Sequence, residues 1–123
     1  MRIIIFLLTF ILISSTVYAG NWNFCSWPTE DKALEVFYQG LNMADLYTTD
    51  ELLDKGYREL NPLLGDHPSD DKLIIYMGLN AVLHYVVTGY FMDKDPQWKH
   101  WWQGLTIGAK GAAVFWNIRV WND

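Results

Sequence analysis

The chain has 123 residues with a formal net charge of −5, and 16% of its residues are aromatic. This length limits the chain to one domain, and its acidic balance argues against nucleic-acid binding, which needs basic patches. Its only cysteine, Cys25, cannot form an internal disulfide and is predicted to be a buried, small apolar side chain. The seven tryptophans suit either a membrane interface, where an amphipathic ring is half hydrated, or a dense small core.

Residues 1–19 are predicted to be a secretory signal peptide. Arg2 precedes the apolar run Ile3–Ile13, and small residues lead to a cleavage site after Ala19. Cleavage there leaves a single helical domain over residues 20–123. An uncleaved anchor helix is the alternative, although the apolar run is short for a membrane span.

Residues 33–48 are predicted to form the first helix, which starts at the acidic turn after Thr29. Polar residues recur along it at helical spacing and form one stripe. The members of this stripe are Glu35, Gln39, Asn42, Asp45 and Thr49. Thr48 and Glu51 match a capping box, which predicts a second short helix that Gly56 closes.

The segment 59–69 is predicted to be a structured loop, because it holds two prolines, a glycine and an Asn-Pro step. Its Glu59, Asp66 and His67 suit metal binding or proton movement. No metal-ligand spacing is present, so a polar loop that caps its own backbone is the favoured interpretation. Ser69 is predicted to be the N-cap of the next helix.

Residues 73–92 are predicted to form the second helix, which carries no charge when His84 is neutral. A helix of this length spans about 30 Å, the thickness of the hydrocarbon core of a bilayer. Asn80, His84 and Thr88 are spaced four apart and form one polar stripe. The segment therefore indicates either a membrane span or the surrounded central helix of a soluble bundle.

Residues 101–121 are predicted to form the third helix, after a short polar connection over residues 93–100. Small residues at every fourth position allow close helix contact within a membrane. These residues are Gly104, Gly108 and Ala112, and they mark a contact with a second copy or another membrane protein.

The third helix carries its own polar stripe of Gln103, Lys110 and Asn117, spaced seven apart. A lysine at the middle of a membrane span costs about 2.5–3.5 kcal/mol on insertion scales. Lys110 therefore needs a partner, for which Asp45 and Glu35 of the first helix are the candidates. The alternative is that Lys110 extends to the interface or is exposed to solvent.

These patterns predict an all-α, membrane-embedded bundle of three main helices after the signal segment. The three polar stripes are expected to face one another, and the loop at 59–69 is expected to cover one end. No metal site and no cofactor is predicted. The candidate polar cluster consists of Asp45, Thr49, Glu59, Asn61, His67, Asn80, His84, Lys110 and Asn117.

The order of these residues resembles the signature of a family of small, uncharacterised bacterial and phage proteins that are predicted to lie in membranes. The specific part is Glu-Leu-Asn-Pro-x-Leu-Gly-x-His-Pro-Ser over 59–69, preceded by Asp45 and Thr49. The resemblance covers most of residues 33–118 and implies a helical membrane protein without an established activity. Lys110 departs from the family, which has an acidic residue in the last helix.

The sequence favours a small integral protein of the bacterial inner membrane with a structural or regulatory role, and a phage origin fits its size. A soluble periplasmic bundle that binds a partner is the alternative. If residues 33–48 do not span, Lys94 and Lys99 lie on the cytoplasmic side, and a third span inverts that orientation.

A membrane enzyme or ion-handling site is a further alternative, because ionisable residues within a membrane are functional candidates. The chain has no nucleophile–base pair, phosphate-binding loop or zinc spacing, so the sequence identifies no enzyme class. The residues of this hypothetical site are Asp45, Glu59, His67, His84 and Lys110.

Overall fold

A computed structural model of the chain describes residues 23–123, so the predicted signal peptide lies outside the described residues. A 3-10 turn at Phe24–Ser26 precedes three long helices, which we name α1 (Thr29–Asp54), α2 (Asp70–Lys94) and α3 (Pro96–Asn122). No strand occurs within this part of the chain. The prediction of an all-α bundle with three main helices is therefore confirmed.

Helix α1 is continuous, so the prediction of a second short helix near Thr48 was wrong. The Thr48 hydroxyl donates to the carbonyl of Ala44 at 2.8 Å, within the same helix, instead of capping a new one. Thr29 is the first helical residue, and no side chain caps this end. Gly56 follows the helix with a φ of 87°, as its role of closing α1 requires.

The loop at 59–69 satisfies its own backbone. Glu59 accepts a hydrogen bond from the backbone N–H of Asn61 at 2.8 Å, and the Asn61 side chain accepts one from Leu63 at 3.0 Å. Gly65 has a φ of 79°. The Ser69 hydroxyl accepts from the N–H of Lys72, so the predicted N-cap of α2 is confirmed.

The turn between α2 and α3 is shorter than the predicted connection over 93–100. Helix α2 continues to Lys94, Asp95 alone breaks the helical geometry with a ψ of 67°, and Pro96 starts α3. Proline suits this first position because its missing N–H would have no helical partner there. Residues 93–94 and 96–100 are therefore helical, although the sequence placed them in the connection.

The N-terminal side of α1 corrects the prediction for Cys25, whose side chain is exposed. It lies in the 3-10 turn beside Trp27, which is buried and stacks on Tyr85 of α2 at 5.1 Å. Trp27 therefore fills the position beside α2, and the cysteine points away from it.

The bundle places polar side chains inside and apolar side chains outside. Helix α1 packs against both other helices, and its polar stripe is buried. A small apolar cluster of Leu46, Leu64, Leu73 and Met77 lies near the 59–69 loop. Twelve large apolar side chains of α2 and α3 are exposed, namely Ile75, Leu79, Val82, Leu83, Val86, Tyr90, Trp98, Trp101, Leu105, Phe115, Trp116 and Ile118. The buried side chains of the described residues include ten polar or charged ones beside nine apolar ones, whereas an ordinary soluble domain buries mainly apolar side chains.

Candidate functional site: a layered polar core and a cleft

The buried polar residues form three layers along the bundle. In each layer a carboxylate of α1 meets donors from α2 or α3. We name them the junction layer, near the α2–α3 turn, the middle layer, and the cleft layer, toward the 59–69 loop. Each layer is defined below by its residues.

The junction layer consists of Asp31, Lys99 and Gln103. The Lys99 ammonium lies 2.8 Å from Asp31 Oδ2, and Gln103 Nε2 donates to Asp31 Oδ1 at 3.3 Å. Both carboxylate oxygens are therefore used, and the Asp31 and Gln103 side chains are buried. This layer joins the first turns of α1 and α3.

The middle layer centres on Glu35 of α1 and His84 of α2, whose Oε2 and Nδ1 atoms lie 2.7 Å apart. Their side chains are only 3% and 1% exposed. The His84 ring stacks between Tyr38, with ring centroids 3.5 Å apart, and Trp102, at 5.3 Å. Trp102 also donates its indole N–H to Thr88 at 3.0 Å. Aromatic rings and hydrogen bonds thus enclose this pair on several sides.

Thr106 of α3 gives the middle layer its second contact, with its hydroxyl oxygen 2.8 Å from His84 Nε2. The same hydroxyl lies 2.7 Å from the carbonyl of Trp102 and donates to it. His84 thus contacts Glu35 of α1 through one ring nitrogen and Thr106 of α3 through the other, so that it joins all three helices.

Two amides of α1 tie the middle of the bundle to the α2 backbone. Gln39 donates to Glu35 at 2.7 Å and to the carbonyl of Ala81 at 3.1 Å. Asn42 donates to the carbonyl of Met77 at 2.9 Å. These carbonyls already accept hydrogen bonds within α2, so the two amides add contacts between the helices. They fix the position of α1 along the axis of α2.

The cleft layer is built on Asp45, whose Oδ2 lies 2.8 Å from the Lys110 ammonium. Asn117 Nδ2 lies 3.2 Å from Asp45 Oδ1, 3.0 Å from Thr48 Oγ1 and 3.1 Å from Thr49 Oγ1. The Asp45 and Lys110 side chains are 10% and 14% exposed. The geometry confirms Asp45 as the predicted partner of Lys110, while Glu35 pairs with His84 instead.

A cavity of about 750 Å³, which we call the cleft, opens beside this layer. Helix α1 forms its back, α2 and α3 form its walls, and residues 57–64 lie at its end. Ala109 and Trp116 of α3 line the cleft and are also exposed, as are Tyr57, Arg58 and Leu60, so the cleft opens both between α2 and α3 and at its loop end. The polar wall consists of Asp45, Thr49, Arg58, Glu59, Asn61, Asn80, Thr106, Lys110 and Asn117.

The structure divides the predicted polar cluster among four places. Asp45, Thr49, Lys110 and Asn117 form the cleft layer, and His84 lies in the middle layer. Asn80, Glu59 and Asn61 line the cleft without joining a layer. His67 is exposed in the loop. The five residues of the hypothetical enzyme site therefore do not converge, and the described residues hold no cluster of three metal-binding side chains.

The predicted contact residues Gly104, Gly108 and Ala112 lie on the exposed side of α3. A Cβ atom added at either glycine would meet no other atom within 4 Å. These small residues therefore do not serve contacts within the described bundle.

The sequence interpretation missed several members of the layers. Asp31 precedes Glu35 by four residues, and Lys99 precedes Gln103 by four, so extending both stripes by one turn finds them. Thr106 also lies four residues before Lys110. Trp102 has no such signal, because only the structure shows that its indole reaches Thr88.

In comparisons with known proteins, no protein-family model, no curated protein and no solved structure matches this chain. The resemblance to small bacterial and phage membrane proteins thus stays an expectation. The function has to be argued from the layers, the cleft and the outer surface.

Proposed function

We propose that the chain is a small integral membrane protein whose three helices all cross the bilayer. The observation that carries this proposal is the absence of exposed charge around the middle of the bundle, within the described residues. On α1 no charged side chain between residues 33 and 49 is exposed, because Glu35 and Asp45 both point inward. On α3 the one charged side chain between residues 101 and 118 is Lys110, which pairs with Asp45.

The three segments that carry no exposed, unpartnered charge are long enough to cross a bilayer. At about 1.5 Å per residue, residues 33–49 of α1 span about 25 Å, residues 73–92 of α2 about 30 Å and residues 101–118 of α3 about 27 Å. The hydrocarbon core of a bilayer is about 30 Å thick. The other charged residues of the described chain lie outside these segments, toward the two ends of the bundle.

Helix α2 is the one helix of the described chain that is long and apolar enough overall to cross a membrane. Average hydropathy does not identify α1 and α3 as spans, because the average includes their inward-facing polar residues as well as their outward-facing apolar ones. Every carboxylate in the three layers has a donor within 3.5 Å. Paired groups inside a bundle are the form in which charges are tolerated in membranes.

A structural or regulatory role at the bacterial inner membrane is consistent with this arrangement, because the layers connect helices and their residues do not form a catalytic constellation. A periplasmic bundle that binds a partner is the competing proposal. The many exposed large apolar residues on α2 and α3 favour the membrane, since soluble monomers rarely expose large contiguous apolar patches.

The first experiment is carbonate extraction of a C-terminally tagged protein, with mass determination of the recovered chain. We expect the protein to resist alkaline carbonate, and the mass to show whether residues 1–19 have been removed. Release into the carbonate supernatant would contradict the membrane proposal and would favour the periplasmic bundle.

The single cysteine provides a topology test. Cys25 is exposed at the end of the bundle that holds the α2–α3 turn, and Asp66 is exposed in the loop at the opposite end. With three spans, an impermeant maleimide reagent labels Cys25 and a Cys25→Ser/Asp66→Cys variant from opposite sides of the membrane. Labelling of both from one side would mean that α1 does not cross.

A further inference from the structure

We infer that the cleft binds one uncharged amphiphile with hydroxyl and carbonyl oxygens in its head group, which enters between α2 and α3. This inference rests on the proposed membrane location, because the mouth of the cleft must face lipid. Ligand pockets typically have volumes of about 300–1,000 Å³. The cleft, at about 750 Å³, lies within that range.

The charges along the cleft exclude an ionic head group. Two acidic side chains, Asp45 and Glu59, and two basic side chains, Arg58 and Lys110, line it, so their formal charges cancel. A ligand carboxylate would approach Asp45, and a ligand ammonium would approach Lys110. At this wall Asp45 and Lys110 are already paired, so either ion would lose its water without gaining an unpaired partner there, which is costly in a low-dielectric site.

The deep wall nevertheless offers hydrogen bonds. The Lys110 ammonium has three N–H groups, and Asp45 and the Met77 sulfur accept from two of them, at 2.8 and 3.4 Å. Asn117 uses its Nδ2 within the cleft layer, which leaves its carbonyl oxygen as an acceptor. The half-buried amide of Asn80 on α2 adds a donor and an acceptor on the opposite wall. A carbonyl and a hydroxyl are the neutral groups that match this set.

The remaining wall suits an acyl or prenyl chain. Leu52, Leu64, Ala113 and Val120 give it an apolar lining between the polar wall and the loop. Trp116, which is 51% exposed, stands at the mouth. A ligand with its head at Lys110 thus has its tail along apolar side chains that lead toward the loop, with Trp116 beside the opening between α2 and α3.

The test uses native mass spectrometry of the full chain, purified in detergent, with three probes that share one oleyl-length chain. The probes are monooleoylglycerol, oleate and oleylamine, whose head groups are neutral, negative and positive. We expect a 1:1 complex with monooleoylglycerol whose Kd is about tenfold lower than that of either ion, since the ions bury an uncompensated charge. Equal or tighter binding of oleate or oleylamine would overturn the inference.

Two adjacent alanines provide a matched pair of variants. Ala113 lines the cleft, whereas Ala112 is exposed outside it. We expect Ala113→Trp to weaken monooleoylglycerol binding about tenfold by filling the cleft, and Ala112→Trp to leave it unchanged. Equal binding by both variants would overturn the inference, because the lipid would then sit elsewhere.

If Ala113→Trp does not fold, Asn80→Leu tests whether the lipid binds in the cleft. It removes a head-group contact without touching the ion pair, and we expect about three- to tenfold weaker binding. Wild-type affinity in this variant would overturn the inference. Carbonate-resistant protein that forms no 1:1 complex would contradict the cleft ligand alone, whereas protein released by carbonate would contradict the membrane location.

Discussion

The middle layer and the cleft layer are built from the same parts, but their surroundings differ. Each pairs an α1 carboxylate with a base: Glu35 with His84 at 2.7 Å, and Asp45 with Lys110 at 2.8 Å. Stacked aromatic rings enclose the first pair, whereas the second borders a cavity of about 750 Å³. The difference teaches that a buried carboxylate–base pair can serve only to join helices, or can also leave polar groups for a ligand.

Removing the carboxylate of the enclosed Glu35–His84 pair should lower the stability of the protein most. Glu35→Ala leaves the buried His84 imidazole without its carboxylate, in a site that water cannot reach. We expect a loss of about 3–5 kcal/mol in the free energy of unfolding, measured by denaturant titration in detergent micelles. Glu30→Ala, a matched change at an exposed position of the same helix, should have little effect. A loss of under about 1 kcal/mol in Glu35→Ala would show that the middle layer is not a structural lock.

Breaking the Asp45–Lys110 pair, which borders the cleft, should lower the stability of the protein less. In Lys110→Met, Asp45 keeps its contacts with Thr49 and Asn117, and water in the cleft can reach the carboxylate. We expect a loss of about 1–2 kcal/mol in the same titration. Adding Asp45→Asn should recover much of it, because the unpaired charge is then gone.

The comparison between the two layers fails if Lys110→Met costs as much as Glu35→Ala. It also fails if the Asp45→Asn/Lys110→Met double variant is no more stable than Lys110→Met alone.

The loop at the cleft end allows a backbone test. Gly65 has a φ of 79°, and an alanine in this left-handed region costs roughly 1–2 kcal/mol. Gly65→Ala should therefore lower the stability and loosen the end of the cleft, which hydrogen exchange of residues 59–69 would report. Gly40→Ala, at an exposed helical position with no atom within 4 Å of the added Cβ, is the control and should be neutral or stabilising. Unchanged exchange in Gly65→Ala would contradict the expected loosening.

The smallest change in stability is expected from a substitution on the exposed side of α3. Gly104→Ala meets no neighbouring atom in the bundle, so the better helix propensity of alanine should stabilise the monomer by about 0.5–1 kcal/mol. If a second copy packs on this side, the same change should weaken the association, as sedimentation equilibrium in detergent would show. A destabilised monomer would contradict the exposed position of Gly104.

The inward direction of the polar stripes could be predicted from the sequence, and so could the pairing of Lys110. Spacings of four and seven place residues on one helix face, and a charge within an apolar segment needs a partner. The sequence left Asp45 and Glu35 as equal candidates. Lys110 lies beside Asp45 because of the position of α3 along the axis of α1. The one-residue turn at Asp95 helps to set that position.

Other errors came from patterns with two physical outcomes. Thr48 and Glu51 have the spacing of a capping box, but a threonine within a helix can equally donate to the carbonyl four residues earlier. Cys25 was expected to be buried because free cysteines usually are. Its neighbour Trp27 takes the buried position instead, by stacking on Tyr85. Which of two neighbours packs inward depends on contacts distant in sequence.

The segregation of acids on α1 and lysines on α3 has a consequence for biosynthesis. Asp45 leaves the ribosome 65 residues before Lys110, a delay of about 3–13 s at 5–20 residues per second. Glu35 finds its partner His84 once α2 has been made, but Asp31 and Asp45 have to wait for Lys99 and Lys110 of α3. For the proposed membrane protein we therefore expect the first helix to complete its insertion only once the last has been translated, and a chain truncated before α3 to be a substrate for membrane quality-control proteases.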